Sequence, residues 1–132
     1  MFSVSLSQIP SYGAVALALI IGIPGAIAVL RPLPTLNAVF RFSAPPTVDG
    51  RRITSSLARL CGVRDLYAGL TMLAIWYRGD RVLLGWALLF AVGVAAVDAW
   101  VTRLQLGRDE WSHWIAVLFL GVTGATLAGW LG

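Results

Sequence analysis

The stretch "LARLCGVRDLYAGLTMLAIWY", residues 57–77, is an apolar run with an arginine and an aspartate, Arg64 and Asp65, side by side inside it. Apart from that pair it reads as a helix built for lipid, because a bilayer core of about 30 Å takes roughly 20 predominantly apolar residues. Three more runs of this kind, residues 12–30, 82–102 and 111–131, use most of the remaining chain. The expected fold is therefore all-α, a four-transmembrane-helix bundle forming one integral membrane domain over residues 1–132.

Composition agrees. Of 132 residues, 58% are hydrophobic and 12% charged, with a mean hydropathy of +0.82, which is too apolar for a soluble domain of this size. The formal charge of +4 comes from ten arginines, with no lysine anywhere in the sequence. A high pI can mark nucleic-acid binding, but these arginines lie between apolar runs, so no nucleic-acid partner is expected. The missing lysine excludes Schiff-base catalysis. The single Cys61 rules out an intramolecular disulfide and a cysteine-based metal cluster.

Outward from the opening run, the segment 31–56 reads as a long loop. With the approach to the next run, as far as Arg59, it holds four of the six prolines and an Asp-Gly pair, both turn signals. Within it, "TLNAVFRF" has the look of a short interfacial helix, Phe40 and Phe42 flanking Arg41. A loop of this length is expected to be a lid or disordered. Ser55 or Ser56 is the expected cap of the next helix, and Pro24 predicts a kink in the first. The first eleven residues carry no charged side chain, so the first run is expected to be a retained helix rather than a cleaved signal. Arg31, Arg41, Arg51, Arg52, Arg59, Arg103 and Arg108 fall on one side, against Arg78 and Arg81 on the other. The positive-inside rule then places both termini away from the cytosol.

Four ionisable residues remain inside the runs: Arg64, Asp65, Asp98 and His113. A charge near the bilayer centre costs about 2.5–3.5 kcal/mol or more, so such residues face the bundle interior or water. The four come from three helices yet lie at similar depth, near the cytosolic ends. Helical spacing puts Ala91, Val94, Ala95 and Thr102 on the face of Asp98. It puts Ala116, Val117, Leu120, Gly121, Gly124 and Ala128 on that of His113, and Cys61, Ala68, Gly69 and Met72 on that of Asp65. Sequence neighbours point about 100° apart on a helix, so Arg64 is expected to bridge to Asp98, not to Asp65. Asp65 would then meet His113 or Tyr67.

Two carboxylates in partly apolar surroundings can hold different protonation states, one ionised and one keeping its proton. That suits epoxide hydrolysis, cyclisation or double-bond isomerisation of a lipophilic molecule without cofactor or metal. Asp65 and Asp98 are the expected acid/base pair, Arg64 the electrostatic orienter and His113 a secondary donor or proton relay. Tyr67, Met72, Trp100 and Trp114 are expected to bind substrate. Expected partners are a small lipophilic substrate, membrane lipid and a second copy of the chain. The rival expectation is a non-enzymatic bundle, an accessory subunit or transporter protomer, in which the polar cluster only fixes helix register.

The pattern R-x-x-G-x-R-D-x-x-x-G-L, here Arg59, Gly62, Arg64, Asp65, Gly69 and Leu70, followed by Asp98 and His113, resembles a family of small integral membrane proteins from fungi and bacteria. That family is defined only as a domain of unknown function. The resemblance implies a four-helix membrane bundle. Because some fungal relatives sit with natural-product biosynthetic genes, it also implies tailoring chemistry on terpenoid or polyketide intermediates. It assigns no catalytic residue.

Overall fold

The computed structural model describes residues 8–108 and 110–131, the side chain of Phe40 excepted. Among these residues it is all-α, with five helices: α1 Ile9–Leu30, α2 Pro32–Phe40, α3 Val48–Arg78, α4 Arg81–Leu106 and α5 Trp111–Leu127. The uncharged first seven residues lie outside the described ones.

The segment 31–56 is where structure and sequence expectation part. Most of it is helical. Pro32 and Pro34 sit in the first turn of α2, where a missing N–H breaks no helix bond. Thr35 Oγ1 donates to the Arg31 carbonyl at 2.8 Å. Helix α3 starts at Val48 and not near Leu57, because Thr47 caps it, its Oγ1 accepting from the Gly50 N–H at 3.1 Å. Asp49 adds a negative charge to that first turn, where the helix dipole favours one. The Asp-Gly pair is thus helical. Ser56 is no cap either, since its hydroxyl donates back to the Arg52 carbonyl within the helix.

The other boundaries follow local chemistry. Helix α1 continues as one helix through Pro24. Gly79 and Gly107, both at positive φ, end α3 and α4, and Asp80 caps α4 by accepting from the Leu83 N–H at 2.9 Å. Helix α5 stops four residues before the expected 131. There Gly129 turns left-handed and the Trp130 and Gly129 N–H groups return to the Ala125 and Thr126 carbonyls, a Schellman motif.

Two helix pairs make the body. Helix α1 lies along α3, backbone against backbone. A Cβ on Gly25 would stand 2.6 Å from the Leu66 nitrogen, and one on Gly69 would stand 2.6 Å from the Ala18 carbonyl oxygen. Helix α4 lies along α5 in the same manner, Gly85 against the Gly124 carbonyl. Small residues permit such approach, and with it the dispersion contacts that hold apolar helices together. The pairs meet more sparsely. At the end holding the α3–α4 turn they close over Ala14, Ala18, Met72, Leu84, Leu88 and Leu127. Toward the opposite end they stand apart.

The outer surface is apolar on every long helix: Leu19 and Ile23 on α1, Leu60 and Leu70 on α3, Phe90 and Val97 on α4, Leu118 and Phe119 on α5 are all exposed. Helices α1 and α4 are long and apolar enough to cross a membrane, and only 22% and 28% of their most apolar segments are buried within the protein. A core helix of a soluble protein would be mostly buried. Helix α5 is shorter at 17 residues, and Arg64 with Asp65 lowers the hydropathy of α3.

Candidate functional site

Where the two pairs separate, they leave a cavity of about 810 Å³. Its walls are apolar along most of their length, with Ile20 and Ile21 from α1, Met72 from α3, Phe90 and Ala91 from α4 and Leu120 from α5. Apart from Thr71 on α3, the polar residues gather at the end covered by α2: Arg41, Arg64, Asp65, Asp98, Ser112 and His113. An apolar chamber of this size with a few convergent polar groups matches the usual make-up of a small-molecule site.

Arg64 organises the polar end. Its Nη1 and Nη2 donate to Oδ1 and Oδ2 of Asp98 at 3.2 and 2.9 Å, a two-pronged bond that ties α3 to α4 across the gap. Its Nε donates to Oδ1 of Asp65 at 2.8 Å. The bridge to Asp98 follows the helix directions. The bond to Asp65 departs from the expectation that sequence neighbours diverge. A guanidinium on a three-carbon stem can curl back to the next residue while its fork faces another helix.

The two carboxylates differ in consequence. Both oxygens of Asp98 accept from Arg64. Asp65 is held through Oδ1, and its Oδ2 accepts no hydrogen bond among the described residues. Asp65 also feels the charges of Asp98 and His113 through space. His113 is placed by the α4–α5 turn, where Arg103 donates to Oε1 of the buried Glu110 at 2.8 Å and to the Gly107 carbonyl at 3.1 Å. The Glu110 carbonyl then accepts the His113 N–H at 3.1 Å, starting α5. Among the described residues no three His, Cys, Asp or Glu side chains gather where they could hold one metal ion.

The structure brings Arg64, Asp65, Asp98, His113 and Met72 to one cavity. It does not bring Tyr67, Trp100 or Trp114, which are exposed and off its wall, Tyr67 at 64% and Trp100 at 62%. Helical geometry accounts for this. Tyr67 and Trp100 follow Asp65 and Asp98 by two residues, about 200° around the helix, and Trp114 follows His113 by one. Of the residues placed on the shared faces, Ala68, Ala91, Val94, Ala95, Ala116 and Leu120 do line the cavity, while Gly69 and Gly124 serve the helix contacts.

Sequence reasoning missed Arg41. It closes α2 at φ 59°, its N–H bonded to the Asn37 carbonyl at 3.0 Å, and it lines the cavity. Trp111 and Phe90, both exposed and on the cavity wall, were also missed as site residues. Phe90 lies eight residues before Asp98, on the same helix face, and that spacing could have found it.

No curated protein and no solved structure matches the chain. A family model described as a domain of unknown function (DUF4267) matches residues 18–127, the span that holds the Arg-Asp motif and the whole cavity, and the chain belongs to that family.

Proposed function

We propose that the protein is a multi-pass membrane enzyme that moves protons on a small lipophilic substrate, without a cofactor. In this reading α1, α3, α4 and α5 all cross the bilayer and α2 lies at the cytosolic surface, with both termini on the other side. Support for the crossing comes from the apolar surface around every long helix and from the arginine excess at the end holding α2. The observation that carries the enzymatic reading is the cavity itself. It is apolar for most of its length, and at its polar end stands a carboxylate, Asp65, oriented through one oxygen while the other accepts no hydrogen bond among the described residues.

The geometry favours Asp65 as base. Asp98, with both oxygens bonded to Arg64, serves as the anchor of Arg64, which in turn orients Asp65. The acid role then moves from Asp98 to His113 on the opposite wall. For epoxide hydrolysis, Asp65 takes a proton from water as the water oxygen bonds to an epoxide carbon. The carbon–oxygen bond breaks, and the released oxygen takes its proton from the His113 imidazolium. Proton transfer from Asp65 to His113 restores both, and the product is the diol. Isomerisation or cyclisation uses the same two groups, one removing and one delivering a proton, with no water consumed. Terpenoid and polyketide intermediates fit the apolar walls.

The bidentate bond between α3 and α4 favours a second reading, in which the cluster only joins the helix pairs of an accessory subunit or transporter protomer. Membranes carrying wild type or Asp65→Asn, incubated with a panel of terpenoid and polyene epoxides, separate the two. The enzyme reading expects turnover by wild type and loss of at least about a hundredfold in the variant. Equal turnover by a correctly folded Asp65→Asn protein would sink it.

A further inference from the structure

Two arginines line the cavity, and they are in opposite situations. Arg64 has its Nε, Nη1 and Nη2 donors engaged by Asp65 and Asp98. Arg41 makes no ion pair and no side-chain hydrogen bond among the described residues, although it borders the same space. Its backbone adds a second observation. Arg41 ends α2 at φ 59°, the left-handed conformation that glycine ordinarily supplies at a helix end because a Cβ there is strained. A long cationic side chain thus stands where none would be cheaper for the backbone. Non-glycine residues in that region cluster at ligand clamps and active sites. The cavity walls supply a third observation: beyond the polar end they run apolar past Ile20, Ile21, Phe90 and Leu120.

From these we infer that the ligand of the cavity is an anionic amphiphile, whose carboxylate or phosphate is received by Arg41 at the α2 end and whose apolar body lies along α1, α4 and α5. The inference rests on the enzyme reading for its site and adds the chemical class of the substrate. Arg41 is suited to the task, since a guanidinium offers a planar fork of donors that matches carboxylate and phosphate oxygens. Standing apart from the Arg64 cluster in its bonding, it holds the head group without disturbing the orientation of Asp65. The anion could belong to a free acid or to a membrane lipid, and the chemistry at Arg41 is the same for both.

The test is binding of cis-parinaric acid and of its methyl ester to the purified full chain in neutral detergent, followed by the fluorescence of the polyene. Wild type is expected to prefer the acid by about tenfold. Arg41→Gln should bring the acid down to the affinity of the ester. Arg41→Gly should do the same with an unchanged or higher thermal midpoint, because glycine relieves the left-handed turn, so a folding defect cannot mimic the result. Dioleoyl phosphatidate competes with the acid if a lipid head group is the natural occupant; an undisturbed acid preference in its presence assigns the site to single-chain acids. Asp65→Asn keeps the acid preference, so loss of turnover and loss of anion recognition are separately visible. Equal binding of acid and ester by wild type, absence of acid binding, or an acid preference surviving in both Arg41 variants overturns the inference.

Discussion

Replacing Arg64 with glutamine removes the guanidinium that bonds both Asp65 and Asp98, and the structure sets the cost. Arg64 holds Asp98 through two charge-assisted bonds, with side-chain exposures of 37% and 19%. Exposed ion pairs contribute at most about 1 kcal/mol, whereas breaking a buried pair costs about 3–5 kcal/mol. This pair stands between those limits, so Asp98→Asn should cost about 2 kcal/mol. Arg64→Gln should cost more, about 3–4 kcal/mol, because it also leaves Asp65 and Asp98 facing each other without the guanidinium that bonds both. Asp65→Asn should cost under about 1 kcal/mol: it weakens one bond and leaves the bridge between α3 and α4 in place. The double variant Arg64→Gln/Asp98→Asn should lose less than the sum of the single losses, since it removes the stranded charge. Reversible unfolding by dodecyl sulfate in mixed micelles, followed by helical circular dichroism, gives each value. Arg64 is no shared clamp if Arg64→Gln is no less stable than Asp65→Asn, or if the losses from Arg64→Gln and Asp98→Asn simply add.

The glycines of the helix contacts should separate cleanly from those that face outward. Gly25→Val drives a side chain into the α3 backbone near Leu66 and should cost about 2 kcal/mol or more, while Gly93→Ala, with nothing within 4 Å, should cost nothing in the same unfolding assay. Topology is read by single cysteines placed at Gly79 and Gly107 in a Cys61→Ala background: an impermeant maleimide should reach the first from the non-cytosolic side and the second only from the cytosolic side. Labelling of both from one face would overturn the four-crossing arrangement.

Much of this architecture is legible in the amino-acid sequence. Apolar runs announce the long helices, because hydropathy is a local property. The polar cluster was legible for the same reason that makes it costly: Arg64, Asp65, Asp98 and His113 stand out against apolar surroundings. The start of α3 was hidden by an Asp-Gly pair that reads as a turn, although Thr47 followed by an acidic first turn is also a helix-start signal. The bond between Arg64 and Asp65 was hidden because helical directions describe where Cβ atoms point and not where a long side chain ends. Arg41 left no hydropathy signal at all. Its place on the cavity wall depends on how α2 folds over the gap, a tertiary fact that no local pattern carries.

Chemistry by Asp65 in this cavity can be tested without knowing the substrate. Lipid extracts from cells producing wild type and from cells producing Asp65→Asn at equal folded level are compared by mass spectrometry. If Asp65 moves the proton, the variant accumulates one lipophilic precursor and lacks one product, the two being isomers for cyclisation or double-bond movement, or differing by one water for hydrolysis. Extracts that are indistinguishable while the variant is folded and inserted would contradict it.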